Sequence, residues 1–246
     1  MYISVALILH YCLFYTPIGF VKLKKYITFR PAANYTNEFF VKKNILCFGD
    51  SNTWGLNPET GKRYNDSIRW PSRMSMLLGD NFNVIEAGQP NRTLVNNPPF
   101  IGGLNGICYL KPYLETESLD IIIIALGTND LKKRFDLSPR QIAKGLEELI
   151  EQIELFYNAI KKPNIIILSP AHVKAIGTYK HIYDGAMNKN QPLTALFETL
   201  CKKKCIHYFD LQQRVNVSKI DGIHLCSQAH TIIASSLYKI IKNITN

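Results

Sequence analysis

Residues 120–126 read Asp-Ile-Ile-Ile-Ile-Ala-Leu and stop at Gly127. Four consecutive β-branched side chains favour extended backbone, because their stiff χ1 angles pack well on a pleated surface. The run does not alternate polar with apolar. Both faces of the strand are therefore expected to be covered, as in a parallel sheet with helices on each side. Working outward, similar short apolar runs stand at residues 45–48 before Gly49, at 82–87 before Gly88, at 164–168 and at 206–209. Helical patterns fall between them. Ser138-Pro139-Arg140-Gln141 has the form of a capping box with proline at the first helical position. Ile142, Leu146, Leu149, Ile150, Ile153 and Phe156 follow it at helical spacing, and Ala229, Ile233, Leu237, Ile240 and Ile241 make a second stripe near the C-terminus. The alternation predicts an α/β fold: a three-layer α/β/α sandwich on a mostly five-stranded, parallel, doubly wound sheet of the flavodoxin-like kind. In such sheets functional residues sit just beyond the carboxyl ends of the strands.

Composition agrees with one such domain. The chain has 246 residues, 46% of them hydrophobic, which suffices for a full core and excludes a disordered, collagenous or disulfide-scaffold protein. The formal charge of +10 is divided evenly. Residues 1–43 carry six Lys or Arg against one acid, and the remainder carries 23 basic and 18 acidic residues, so each part holds about +5. The clusters Lys132, Lys133, Arg134 and Lys202, Lys203, Lys204 lack interleaved aromatics and read as solvated surface, so no nucleic-acid partner is expected. None of the six cysteines (Cys12, Cys47, Cys108, Cys201, Cys205, Cys226) belongs to a C-x-x-C pair. They read as reduced core residues, and a reducing compartment is expected.

Residues 2–21 form a nearly uncharged apolar run of about membrane-spanning length, followed by Lys22, Lys24 and Lys25. A cleaved signal peptide fits poorly, because a basic leading region and an A-x-A site are both missing. Residues 1–40 therefore read either as a signal anchor or as an extension outside the working protein, and residues 41–246 as the catalytic domain. As an anchor, the positive charges after the span favour a cytoplasmic domain, with membrane contact only through residues 2–21. One of five N-x-S/T sequons begins at Asn91, inside the candidate site, which speaks against passage through a glycosylating compartment.

Three loops, each after an expected strand, carry the chemistry. Gly49-Asp50-Ser51-Asn52-Thr53-Trp54-Gly55 can expose a serine hydroxyl at a helix N-terminus, where N–H groups favour developing negative charge. Gly127-Thr128-Asn129-Asp130 can aim the Asn129 amide at an oxyanion. Asp221-Gly222-Ile223-His224 can supply a general base, with Asp221 holding its other ring nitrogen. Singly, each pattern also reads as a cap or turn; their combination in compatible order is specific. Of the other histidines, His172 follows the fourth strand and could line a pocket. His207 reads as core and His230 as a structural hydrogen bonder.

With these blocks in hand, residues 45–237 resemble the SGNH/GDSL hydrolase family, and within it the small bacterial arylesterase-like branch. The resemblance rests on FGDSNTWG at 48–55, NPETGKRY…RWP through Pro71, EAGQPNRT at 86–93, GTNDLK at 127–132 and DGIH at 221–224. It implies Ser51 as nucleophile, His224 as base, Asp221 as orienting acid, and an oxyanion hole built from the N–H groups of Ser51 and of residue 91 and from the Asn129 side chain. The family's second block usually carries glycine where this chain has Asn91. A backbone N–H survives that change, and asparagine tolerates left-handed geometry better than most residues. Trp54 and Arg92 are candidate pocket residues with His172, although Arg92 can equally pin its loop to a carbonyl or to Asp50, and Trp54 and Trp70 both read equally as core or loop anchors.

The expected activity is hydrolysis of small carboxylic esters, aryl or short-chain alkyl, through an acyl-enzyme without metal or organic cofactor. Acyl transfer to alcohols fits the same chemistry. Deacetylation of O-acetylated carbohydrate, lysophospholipid hydrolysis and thioester hydrolysis remain alternatives, as does an inactive binding protein on the same fold. A nucleotide-binding fold lacks its glycine motifs here. The sequence leaves assembly into a homo-oligomer open.

Overall fold

The computed structural model describes residues 42–94, 104–158 and 161–245, which belong to the unit Phe40–Asn246. The expectations for residues 1–40, including the apolar run at 2–21, lie outside them. In chain order the unit runs β1 (Lys43–Gly49), α1 (Ser51–Trp54), α2 (Trp70–Leu78), β2 (Phe82–Gly88), the two-residue strands β3 (Arg92–Thr93) and β4 (Leu104–Asn105), α3 (Gly106–Thr116), β5 (Ile121–Ala125), α4 (Pro139–Phe156), β6 (Asn164–Leu168), α5 (Met187–Lys204), β7 (His207–Phe209) and α6 (Ser227–Thr245).

Five strands form a sheet in the order β2-β1-β5-β6-β7, with every neighbouring pair parallel. Successive strand residues feed opposite faces. Leu46, Phe48, Ile122, Ile124, Ile165 and Ile167 pack with the apolar stripes of α3, α4 and α5. Ile45, Cys47, Ile121, Ile123, Ile166 and Leu168 pack with α2 and α6. This two-sided burial is the physical content of the unbroken isoleucine run, and the result is the three-layer sandwich expected. The capping box at Ser138 forms: its hydroxyl accepts from the Gln141 N–H and the Gln141 side chain accepts from the Ser138 N–H. Behind it Ile142, Leu146, Leu149, Ile150 and Ile153 are buried, whereas Phe156, the last of the expected stripe, is exposed at the helix end.

Strand register positions the site. Gly88 pairs with Gly49, Gly49 with Ala125, Ala125 with Leu168, and Leu168 with Phe209. The five carboxyl ends are thus level, and the chain leaves each of them along one edge. β1 lies between β2 and β5, where the strand order reverses. In doubly wound sheets a crevice opens at this switch point. The segments after β1 and β5 carry Ser51 and Asn129.

No helix among the described residues is long and apolar enough to cross a membrane. Of the cysteines expected in the core, Cys47 and Cys201 are buried and Cys226 is half-buried, whereas Cys205, the left-handed cap that closes α5, and Cys108, at a solvent-facing position of α3, are exposed.

Candidate active site

The Ser51 turn is shaped by its neighbours. Asp50 caps α1 in extended conformation, its carboxylate accepting the Asn52 N–H at 2.9 Å. α1 closes after a single turn at Gly55, whose φ of 87° is left-handed. A β-carbon at Gly49 would collide with Thr53 Oγ1, and one at Gly88 with the Trp54 backbone nitrogen. Glycine at both places lets the turn settle onto the strand ends. Ser51 is 6% exposed and starts the helix, so its N–H is among the first-turn donors that have no intrahelical acceptor.

The loop after β7 comes to meet it. His224 Nε2 stands 3.0 Å from Ser51 Oγ, and His224 Nδ1 stands 2.7 Å from Asp221 Oδ2. The other carboxylate oxygen of Asp221 accepts the backbone N–H groups of Ile223 and His224, both at 3.0 Å. Burial alone would raise the pKa of Asp221, but the hydrogen bonds from the His224 ring and the two N–H groups outweigh it and hold the carboxyl below its ordinary value. Asp221 therefore stays ionised against the imidazole. Asn52 ties the two loops together: its amide donates to the Ile223 carbonyl at 3.3 Å and its oxygen accepts the Leu225 N–H at 3.0 Å. The Tyr179 ring stands edge-on to the imidazole, centroids 5.7 Å apart.

Asn129 opens a short 3-10 turn (Asn129–Leu131) just past β5 and is 3% exposed. One of its amide hydrogens is taken by the Arg92 carbonyl at 3.0 Å, and its oxygen receives the Tyr183 hydroxyl at 3.4 Å. These two partners fix which way the amide faces, and its second N–H has no partner among the described residues. Asn91 has φ of 68°, the left-handed conformation anticipated for it, and its N–H meets no backbone acceptor among the described residues. Its side-chain oxygen accepts from Lys132 Nζ at 2.8 Å.

Other candidates fall elsewhere. Arg92 is 4% exposed and donates to the carbonyls of Gly49 and Ala87, with its guanidinium stacked 4.0 Å over the Phe48 ring; burial lowers its pKa to about 10. It holds the ends of β1 and β2 together from within. Trp54 is half-buried beneath Arg63, whose Nε donates to the Trp54 carbonyl at 2.8 Å. Trp70 is core, 1% exposed. His172 is half-buried, and the ring nitrogen bonded to Ser51 is that of His224.

Two further readings need correction. Lys132 is not surface: it is 6% exposed, because the 3-10 turn carries it inward, and burial followed by repulsion from Arg134 lowers its pKa to about 8. His207 is not core, because it begins the edge strand β7 and is exposed. Asn52, Lys132, Tyr179 and Tyr183 were not singled out from sequence. Asn52 and Lys132 stood inside the quoted motifs, whereas the tyrosines lie in an irregular stretch with no periodicity to mark them.

The model of the family described as GDSL-like lipase/acylhydrolase matches residues 45–237. The chain belongs to that family. It is an ester hydrolase of the SGNH/GDSL type, and solved structures agree. It is similar to the inhibitor-bound M. smegmatis aryl esterase, with 31% identity and a TM-score of 0.77 over 82% of this chain and 99% of that one. It is similar to a carbohydrate acetylesterase from Sinorhizobium meliloti, with 29% identity and a TM-score of 0.77 over 82% of this chain and 100% of that one. A lipolytic protein of the G-D-S-L family from Veillonella parvula, 16% identical with a TM-score of 0.62 over 81% of this chain and 98% of that one, shares the fold. Curated proteins give no match.

Proposed function

We propose that the enzyme hydrolyses small carboxylic esters, aryl or short-chain alkyl, through an acyl-enzyme on Ser51. The unbroken line from Ser51 Oγ through His224 to Asp221, beside the oriented Asn129 amide, carries this reading. Ser51 Oγ attacks the ester carbonyl carbon and its proton passes to His224 Nε2. Asp221 stabilises the resulting imidazolium. The carbonyl oxygen becomes an oxyanion and receives the N–H groups of Ser51 and Asn91 and the free amide hydrogen of Asn129. Collapse breaks the bond to the alcohol, which leaves with the proton from His224. Water then attacks the acyl group by the same route, its proton passing through His224 back to Ser51. An alcohol in place of water gives acyl transfer.

The aryl esterase and the carbohydrate acetylesterase among the relatives act on esters that this chemistry serves equally. Acetylated sugar is therefore the second substrate class. A panel of p-nitrophenyl esters of graded chain length, run beside acetylated sugars, ranks the two; the highest kcat/KM is expected for the short acyl chains. A serine-directed fluorophosphonate should label Ser51. Absence of both labelling and turnover would leave an inactive binding protein. The catalytic unit is proposed to begin near Val41, so a chain starting there should fold and turn over ester. Turnover should persist in EDTA, because no step is assigned to a metal.

A further inference from the structure

Asn91 stands where the resemblance leads one to expect glycine, and its backbone holds the left-handed φ of 68° that glycine adopts freely. An L-residue there needs something to keep it in place. Lys132 supplies it from below. Its stem is buried, and its ammonium donates to Asn91 Oδ1 at 2.8 Å. The same lysine closes the turn that carries Asn129, its N–H donating to the Asn129 carbonyl at 3.2 Å. The charged groups around the ammonium are Asp50 and Asp130, which favour its charge, and Arg134, which opposes it. A buried cation has strong reason to keep a polar partner, and among the described residues Asn91 Oδ1 accepts its hydrogen bond.

We propose that the Lys132–Asn91 bridge is a positioning device of this chain, which locks the Asn91 turn to the Asn129 turn so that the two oxyanion donors keep a fixed separation. Lys132 is thus a positioning residue. The bridge does for an asparagine what a glycine turn does through conformational freedom, and the asparagine gains a tether that glycine cannot have. The inference rests on the proposed acyl-enzyme mechanism, because only there does the Asn91 N–H have a task. It concerns kcat, since the oxyanion forms after substrate binds.

The test is a double-mutant cycle on a p-nitrophenyl ester. Lys132→Met and Asn91→Ala are each expected to lower kcat by about tenfold with KM within about twofold, and the double variant to be no worse than the worse single one. Asn91→Gly loses the tether but not the backbone freedom, so a smaller loss, about threefold, is expected, and Lys132→Met added to it should cost under about twofold more. Multiplicative losses in the cycle, or an Asn91→Gly enzyme with the wild-type kcat, overturn the bridge. The second of these needs no lysine variant and decides the matter even if Lys132→Met fails to fold. Ser51→Ala separates the two layers. Turnover that survives it overturns the mechanism itself, whereas turnover abolished by it together with multiplicative losses overturns the bridge alone.

Discussion

Two histidines stand six residues apart across the junction between the 221–224 loop and α6, and both are buried: His224 is 4% exposed and His230 is 0% exposed. Their surroundings differ in one respect. In the loop, one ring nitrogen of His224 faces a carboxylate and the other faces the Ser51 hydroxyl. In the helix, His230 Nδ1 accepts the Trp70 N–H at 3.3 Å, its Nε2 has no hydrogen-bond partner among the described residues, and the Tyr64 ring stands edge-on to it. Burial, and then the positive charge of Arg69, push its pKa down to about 4. Burial alone makes a histidine neutral and inert. A carboxylate behind the ring, with a proton source in front of it, allows the ring to take up charge for a moment and give it back.

The largest effects should separate the two stretches at once. Ser51→Ala and His224→Ala are each expected to lower kcat by about 10⁴-fold or more, and the double variant should be scarcely worse, because members of a triad act as a unit. Additive losses would break the comparison by showing that His224 is not the base for Ser51. Asp221→Asn keeps the shape but removes the charge behind the ring, and a loss of up to about 10⁴-fold is expected. A variant with near wild-type kcat would mean that the 2.7 Å contact is structural.

Smaller effects should come from groups that act on charge in the transition state. Asn129→Ala is expected to lower kcat by about 100-fold or more with little change in KM, which steady-state kinetics on a single ester can read. Tyr183→Phe removes only the hydroxyl that fixes the Asn129 amide. Because that contact is long, at 3.4 Å, a loss of about threefold is expected. A KM effect in place of a kcat effect would place Tyr183 on the substrate instead of behind Asn129.

The fold was legible in the isoleucine run because a strand covered on both faces needs no alternation to be recognised. Its boundaries were less so. Asp120, read as strand, instead accepts the Asn44 N–H with its carboxylate, and the ladder begins at Ile121. The loops that bring Ser51, Asn129, Asp221 and His224 together were legible because each follows a strand whose end the sheet makes level. Lys132 was not. Three cations in a row look solvated, and only the tight turn at Asn129 sends the first of them inward. Tyr179 and Tyr183 reach the site from a segment of turns, where sequence carries no period and position is set by tertiary contacts such as the Lys174 N–H bonded to the Gly222 carbonyl at 2.8 Å. Local pattern specifies which side chains can do chemistry, whereas the groups that aim them come from wherever the chain happens to pass.

The smallest effect on turnover, and the sharpest contrast, should come from His230. Its pKa of about 4 in the folded state lies below the ordinary value of 6.5 that it regains on unfolding. As pH falls below about 6.5 the unfolded chain takes up the proton first, so stability present at neutral pH is lost progressively until about pH 4. The full loss is about 3 kcal/mol, of which about 2 kcal/mol has gone by pH 5. Asp221 has the opposite chemistry. Its depressed carboxyl contributes stability above the ordinary carboxylate range and loses it only as pH falls further, through its folded value, so the two windows are distinct. Urea unfolding at pH 7 and pH 5 measures the first window. His230→Phe removes the titrating ring, and its stability is expected to vary little between those pH values, although it loses the acceptor for the Trp70 N–H and starts from a lower value. Its kcat at neutral pH should stay within about twofold of wild type, because no step of the mechanism passes through it. If stability in the variant fell between pH 7 and pH 5 as steeply as in the wild type, the proton uptake would belong to another group, and the contrast between the loop and the helix would rest on geometry alone.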